Sequence, residues 1–373
     1  MNVSVVIPAY NSRSALERCL RTLGKTGHDP DLSYEVIVVD DGSDDGTAEL
    51  LAGFSGPFEL HSVFLPRTSA SGRGAARNAG IHRATGELIV MLDADQLVTP
   101  GLLAEHVRFH RLRPDLVVVG RRDELAPGPV EGPPRVVAVD SREALYAEFS
   151  ANLNNLTTCW HHFYSCNASV RREHLLAVGG FDESFRGWGL EDTELGFRLR
   201  QRGLAFAYHP GALVHHQHAQ RITARMYAEW RRNLRRFADK HRNAPEVALQ
   251  SVIGRPDIGW EEAMRRFEHA ARALAGRLPR PVACQVLTAD DANAGAVLPG
   301  LAALAATTDL LVIDDTTGAR LSGPVQCLDT PHELLYFHRP PAGRRAAILA
   351  RWGRHEGGRR YAGRLGEPNQ RDS

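Results

Sequence analysis

The chain lacks any long apolar run: nowhere do hydrophobic residues continue for the roughly 18 positions that a membrane-spanning helix needs. It also lacks an excess of charge. Its 45 Lys and Arg stand against 44 Asp and Glu, a formal net charge of +1. That balance excludes a nucleic-acid binder working through bulk charge and leaves only local patches. Cysteine is scarce. The five residues, Cys19, Cys159, Cys166, Cys284 and Cys327, are odd in number and form no CxxC, so free thiols in a reducing compartment are expected rather than a disulfide scaffold or cysteine-held zinc. The opening Met1-Asn2-Val3-Ser4-Val5-Val6-Ile7-Pro8 has no basic start and enters a strand at once, unlike a secretory signal. No internal repeat is present. What is present is a hydrophobic fraction of 43% over 373 residues, enough to fill the core of one large domain or two ordinary ones. The expectation is a globular, cytoplasmic protein.

The first 120 residues alternate between two periods. Val3–Ile7, Tyr34–Val39, Phe58–Leu65 and Glu87–Leu92 read as strands. Between them, a helix with Leu16, Cys19, Leu20 and Leu23 on one stripe, capped by Asn11 or Ser12, a second from Thr47, and a third over Ser71–Ala84 read as crossovers. Such repeats predict a mostly parallel α/β sheet with helices on both faces. Ligands of these sheets gather beyond the carboxyl ends of the strands, where Asp40, Asp41, Asp93 and Asp95 fall. Leu116–Val139 is strand-like but broken by Pro127, Pro129, Pro133 and Pro134, so it reads as edge strands and loop.

Five segments could carry chemistry. In Leu92-Asp93-Ala94-Asp95 two carboxylates at i and i+2 would face one way on an extended chain. Hard oxygen ligands suit Mn²⁺ or Mg²⁺, ions often shared with substrate phosphates; a strand-end turn is the plain alternative. Asp40-Asp41-Gly42-Ser43 sets a second acidic pair, of adjacent residues, at the end of another strand, and a turn with a helix cap explains it equally well. Gly72-Arg73-Gly74-Ala75-Ala76-Arg77-Asn78-Ala79-Gly80 permits close backbone approach, and Arg73 or Arg77 could hold a diphosphate. It lacks the Gly-Lys-Ser/Thr of a Walker loop, and alone it would read as a solvated helix face. In Gly187-Trp188-Gly189-Leu190-Glu191-Asp192 an indole between glycines offers a platform for a sugar face, and two carboxylates open a helix, where the dipole would favour them in any case. Val214-His215-His216-Gln217-His218 sets three histidines within four residues, a pattern frequent in metal ligation, with an exposed histidine-rich turn as the alternative.

Taken in order, Ile7-Pro8-Ala9-Tyr10-Asn11, Val39-Asp40-Asp41-Gly42-Ser43, Gly74-Ala75-Ala76-Arg77-Asn78, Leu92-Asp93-Ala94-Asp95 and Gly187-Trp188-Gly189-Leu190-Glu191-Asp192 resemble glycosyltransferase family 2 with the GT-A fold. The later half is similar to β-1,4-galactosyltransferases and chondroitin-polymerase-type enzymes. The resemblance covers roughly residues 1–235. It implies that Pro8, Tyr10 and Asp41 line the base pocket, with Arg77 and Asp93 along the nucleotide. It further implies Asp95 and His216 as metal ligands, His218 as second choice, Trp188 and Glu191 at the sugars, and Asp192 as general base. A carboxylate of ordinary pKa, about 3.9, would serve as base without tuning, and one such base with in-line attack implies inversion.

The expected organisation is a catalytic domain over 1–240, with a nucleotide-binding half (1–120) and an acceptor half (121–240), a helical connector over 241–280, a small α/β extension over 281–340, and an Arg/Gly-rich tail over 341–373. Helices are expected over Arg221–Arg242 and Gly259–Leu278. Arg225, Arg232 and Arg236 on the former could rest on an anionic membrane, although a solvated basic face is the simpler account. A nucleotidyltransferase, or a silent sugar-binding protein, are the competing readings. Donor sugar, acceptor and oligomeric state are not encoded legibly.

Overall fold

The computed structural model describes residues 1–26, 32–126, 134–148, 152–217, 223–252, 260–275, 284–289, 293–307, 310–315 and 333–338. His218, the helix start at 221–222, residues 276–278 and the Arg/Gly-rich tail lie outside the described residues. The chain divides into two compact units, Met1–Asn233 and Leu234–Ser373.

In the first unit the strands are β1 (Val3–Ala9), β2 (Tyr34–Asp40), β3 (Glu59–Phe64), β4 (Leu88–Leu92), β5 (Gln96–Val98), β6 (Leu116–Leu125), β7 (Val136–Ala138), β8 (Asn167–Arg171) and β9 (Ala205–His216). The helices are α1 (Arg13–Leu23), α2 (Thr47–Gly53), α3 (Arg73–Arg83), α4 (Leu102–Leu112), α5 (Arg142–Glu148), α6 (Arg172–Ala177) and α7 (Glu191–Gln201), and α8 (Ala224–Lys240) runs across the boundary at Asn233. One sheet runs β3-β2-β1-β4-β8-β6-β9-β5, with β7 on β6. β3, β2, β1 and β4 are mutually parallel; β8 is antiparallel to both β4 and β6, and β9 runs parallel with β6.

Alternation along β1 explains why its apolar run is continuous. Val3, Val5 and Ile7 join Leu16, Cys19, Leu20 and Leu23 of α1 in one core cluster. Val6 points to the other face, under α3: a Cβ on Gly80 would lie 2.4 Å from Val6 Cγ1. Strands covered on both faces cannot show a polar side. Helix α1 starts as expected, but Ser12 makes no cap hydrogen bond. The acceptor comes from the next loop, where Asp45 Oδ2 accepts from Arg13 N–H at 2.8 Å.

Three expectations are corrected. Leu116–Leu125 is not an edge strand but a central one between β8 and β9, with Val117, Val118 and Val119 fully buried. The prolines begin only after Leu125, so β6 keeps its N–H donors for the ladder. Asp93-Ala94-Asp95 is a turn, closed by Gln96 N–H on the Asp93 carbonyl at 3.2 Å, rather than extended chain. Val214–His216 is the end of the twelve-residue strand β9 and no exposed turn.

In the second unit, α9 (Pro245–Ala248) and α10 (Trp260–Ala275) precede a parallel three-stranded sheet of β10 (Cys284–Ala289), β11 (Leu310–Asp315) and β12 (Glu333–His338), with α11 (Ala294–Thr307) between the first two strands.

Candidate active site

Helix α3 ties the two halves of the first unit together. Arg77, only 2% exposed, donates from Nη2 to Asp93 Oδ1 at 2.8 Å and from Nη1 to Glu191 Oε1 at 3.3 Å. The next residue, Asn78, accepts from Phe181 N–H at 2.8 Å and donates to the Phe181 carbonyl at 2.9 Å. Two small residues of this motif admit protein: Gly80 admits Val6, and a Cβ on Gly74 would meet Phe181 Cβ at 3.3 Å, while Gly72 faces open space. Arg77 therefore lies beneath the carboxylates as a buried cation. Burial pushes the Asp93 carboxyl up, but Arg77 and then Arg73 hold it below the usual range.

From Phe181 the chain runs to α7 through a loop that needs left-handed backbone at Gly187, Gly189 and Leu190. Leu190 adopts φ 73° without being glycine and is buried, which costs conformational energy that the surrounding packing must offset. Trp188 is half-buried, and its backbone N–H donates to Glu229 Oε2 at 3.0 Å. Asn233 Nδ2 donates to the carbonyls of Arg186 and Gly189 at 3.1 and 2.8 Å. The loop delivers Glu191 and Asp192 to the first turn of α7, where the helix dipole favours negative charge.

Asp192 departs from the expectation of an untuned carboxylate. Part of its side chain meets solvent, but burial first, and then the neighbouring Glu191 charge, push it up to about 7 against the opposing pull of Arg77. Its Oδ1 accepts from Thr193 N–H at 2.8 Å.

Asp95 turns to a different partner. His216 Nε2 lies 3.2 Å from Asp95 Oδ2, and His216 Nδ1 lies 2.7 Å from Glu124 Oε2. The register explains the trio, since His216 of β9 sits opposite Glu124 of β6 on one side and Gln96 of β5 on the other. Gln217 bolts the strand end in place: its N–H donates to the Asp95 carbonyl at 3.0 Å, and its side chain joins Arg18 and the Ala15 carbonyl on α1. Burial would lower the His216 pKa, yet the two carboxylates raise it to about 9. Glu124 was missed in the sequence, where nothing pairs it with a residue 92 positions later. Arg122, 3.1 Å from Glu124, was missed as well.

A third cluster forms where β1 and β2 end. Tyr10 is 48% exposed, with the Arg67 guanidinium over its ring, and Arg67 also pairs with Asp41. Burial raises the Asp41 pKa in spite of Arg67. Pro8 lies in β1 beside Val39 of β2. The structure thus brings Asp93, Arg77 and Glu191 together, sets Asp95 against His216, and places Tyr10 and Asp41 around Arg67. Among the described residues no three His, Cys, Asp or Glu side chains gather as a metal cage.

A model described as "Glycosyl transferase family 2" matches residues 4–179, and one described as "N-terminal domain of galactosyltransferase" matches residues 148–221. The validoxylamine A glucosyltransferase of Streptomyces hygroscopicus subsp. jinggangensis is 30% identical over 300 residues, 74% of this chain and 69% of that one. The chain belongs to glycosyltransferase family 2. Chondroitin synthase of Escherichia coli is 27% identical over 243 residues, covering 58% of this chain and 34% of the relative. The structure of S. aureus TarS 1-349 in complex with UDP-GlcNAc superposes with a TM-score of 0.50 at 16% identity, over 74% of this chain and 73% of that one. The fold is therefore GT-A, and the protein is a glycosyltransferase, which sets aside the nucleotidyltransferase and silent-binder alternatives. Among the described residues no helix is long and apolar enough to cross a membrane.

Proposed function

We propose that this glycosyltransferase moves a hexosyl group from a UDP-sugar to an acceptor hydroxyl with inversion, Asp192 acting as general base. The observation that carries the reading is the placement of Asp192 in the first turn of α7, next to the Glu191 that Arg77 ties to Asp93; burial and the Glu191 charge raise its pKa to about 7. A base titrating near 7 takes a proton from a hydroxyl more readily than a carboxylate of ordinary pKa, yet is still ionised at neutral pH in a large fraction. The acceptor oxygen forms a bond to the anomeric carbon as the bond to the diphosphate oxygen breaks. The hydroxyl proton passes to Asp192, and the nucleoside diphosphate carries away the electron pair. Attack opposite the leaving group inverts the anomeric centre.

Tyr10, Pro8 and Asp41 take the base, and Asp41 Oδ1 is a buried acceptor with no hydrogen-bond partner among the described residues, ready for a uracil N–H. Trp188 and Glu191 border the sugars. Arg77 holds Glu191 and Asp93 in place and keeps their charges compatible with one site. The glucosyltransferase relative supports hexosyl transfer.

The donor set fits Mn²⁺ or Mg²⁺. Asp95 offers a hard oxygen, His216 Nε2 faces it, and Glu124 on Nδ1 fixes the ring orientation, as carboxylates do behind ligating histidines. Asp95 and His216 would hold the ion, which when bound supplies Lewis-acid stabilisation of the leaving diphosphate. Buried free Cys19 and Cys166 support a cytoplasmic setting, and the exposed Arg225, Arg232 and Arg236 of α8 support peripheral contact with an anionic membrane.

Thermal unfolding with UDP, GDP, TDP and CDP, each with and without Mn²⁺, tests the reading. A nucleotide at 100 times its Kd adds about 2.7 kcal/mol of stability. A rise with UDP that requires Mn²⁺ and vanishes in Asp95→Ala is expected; a rise with another nucleotide alone would remove UDP, and no response would remove the site.

A further inference from the structure

Arg67, just beyond β3, has no role in the transfer chemistry described above. Its guanidinium lies over the Tyr10 ring, 3.9 Å from the centroid. From the same position Nη1 reaches the Asp41 carboxylate and, at 3.2 Å, the Asp41 carbonyl oxygen. The backbone beneath it is closely seated, since a Cβ on Gly42 would come 2.8 Å from Arg67 N. The side chain is 45% exposed and has an open route to solvent. A planar group at this height above an aromatic ring fills the layer in which a nucleobase stacks. It also engages the residue whose remaining oxygen, Asp41 Oδ1, is buried without a hydrogen-bond partner among the described residues.

We propose that Arg67 occupies the nucleobase position in the empty enzyme and is displaced from Tyr10 and Asp41 when the base enters. The inference rests on the nucleotide site proposed above. Two planar groups cannot share one stacking layer, so binding exchanges a guanidinium–π contact for base stacking, and one hydrogen bond on Asp41 for another. The base gains less than it would on a bare shelf. Arg67 therefore weakens affinity for the nucleoside part of both donor and product, and its return to the shelf favours nucleotide release after transfer.

Calorimetric titration of UDP, uridine and inorganic pyrophosphate, all with Mn²⁺, into the wild-type protein, Arg67→Ala and Arg67→Lys tests this. Lysine keeps the charge and loses the planar stack. UDP and uridine should bind Arg67→Ala about two- to tenfold more tightly, the range expected for losing one exposed cation–π contact and its ion pair, and Arg67→Lys more tightly by a smaller factor, with pyrophosphate unchanged. Weaker UDP with unchanged pyrophosphate would make Arg67 a base contact, and weaker binding of both UDP and pyrophosphate a phosphate contact; either overturns the displacement. Equal affinities in all three proteins overturn it as well, while leaving the nucleotide site intact. A wild-type protein that binds pyrophosphate but neither UDP nor uridine would bring down the base site itself.

Discussion

The two halves of the first unit place their site residues by different means. In residues 3–92 the strands are parallel, and three of the functional side chains follow a strand end at once: Tyr10 after β1, Asp41 after β2, Asp93 after β4. In residues 116–216 Trp188, Glu191 and Asp192 come from a loop and the first turn of α7, whereas Glu124 and His216 sit inside strands and their meeting depends on register. Glu124 and His216 are neighbours only because β6 and β9 pair in parallel, past an irregularity between Gly120 and Arg121 that accommodates extra residues of β9. The first half tolerates local change because each site residue is placed locally. In the second, one slip of the β6–β9 register would part Glu124 from His216 and Gln217.

The substitution with the largest expected effect lies where the halves meet. Asp192→Asn should lower turnover by about 10²–10⁴-fold while UDP affinity stays nearly constant, as measured by steady-state kinetics beside calorimetry. In the wild type, turnover should rise with pH through about 7 and level off above it, because Asp192 must lose its proton to act. The stability effect runs the other way. A carboxylate whose folded pKa is raised from 3.8 to about 7 keeps its proton in the folded state over that window and has lost it in the unfolded chain, so stability falls as pH rises through it. Asp192→Asn should therefore unfold at a higher temperature than wild type at pH 8, with the gain absent at pH 4. Unchanged turnover would remove Asp192 from the base role.

Glu124→Gln probes the half built by register. It leaves β6 and His216 in place and removes only the carboxylate behind Nδ1. Loss of such a partner typically costs about 10–100-fold in metal affinity, and Mn²⁺ titration followed through UDP-dependent stabilisation would read it. An unaltered Mn²⁺ requirement would detach Glu124 and His216 from metal binding.

How much was legible in the sequence follows the same division. The order β1 to β4 and the positions of Asp41 and Asp93 show in alternating periods and in acids at strand ends, because local chemistry produces both. The central place of β6 was hidden by prolines that in fact begin only after Leu125. Glu124 was hidden because sequence carries no mark of a partner 92 residues away. Asp192 was singled out but its environment was not, since a raised pKa comes from burial and from Glu191 held in place by Arg77, and neither can be read from Glu191-Asp192 alone. The glycine motif at 71–80 was legible as close approach, and at Gly74 and Gly80 the approaching group is protein. Gly80→Ala tests that point: a Cβ 2.4 Å from Val6 Cγ1 overpacks the α3–β1 contact. It should cost about 1–3 kcal/mol in denaturant unfolding, with UDP affinity of the folded protein unchanged. Loss of UDP binding without loss of stability would return Gly80 to the ligand.

The smallest expected effect concerns Asp45, which lies in the local half but acts across two loops. Asp45 Oδ2 accepts from Arg13 N–H at 2.8 Å, and Oδ1 accepts from the Thr47 hydroxyl at 2.6 Å and the Thr47 N–H at 3.2 Å. One exposed carboxylate thus satisfies orphan donors at the starts of both α1 and α2, the task expected of Asn11 or Ser12 at the first of them. Burial acts to raise its pKa, but the Thr47 hydroxyl and the backbone donors outweigh it and hold the carboxyl low. Replacing a capping acceptor by alanine costs about 0.5–2 kcal/mol, so Asp45→Ala should lower the unfolding midpoint slightly at pH 7. Because the folded pKa is depressed, that contribution is present above the unfolded carboxylate value and fades as pH falls through the folded one. The difference between Asp45→Ala and wild type should accordingly shrink on acidification below pH 4. A difference that stays constant to pH 2 would show that the carboxylate's charge is not what holds the two helix starts together.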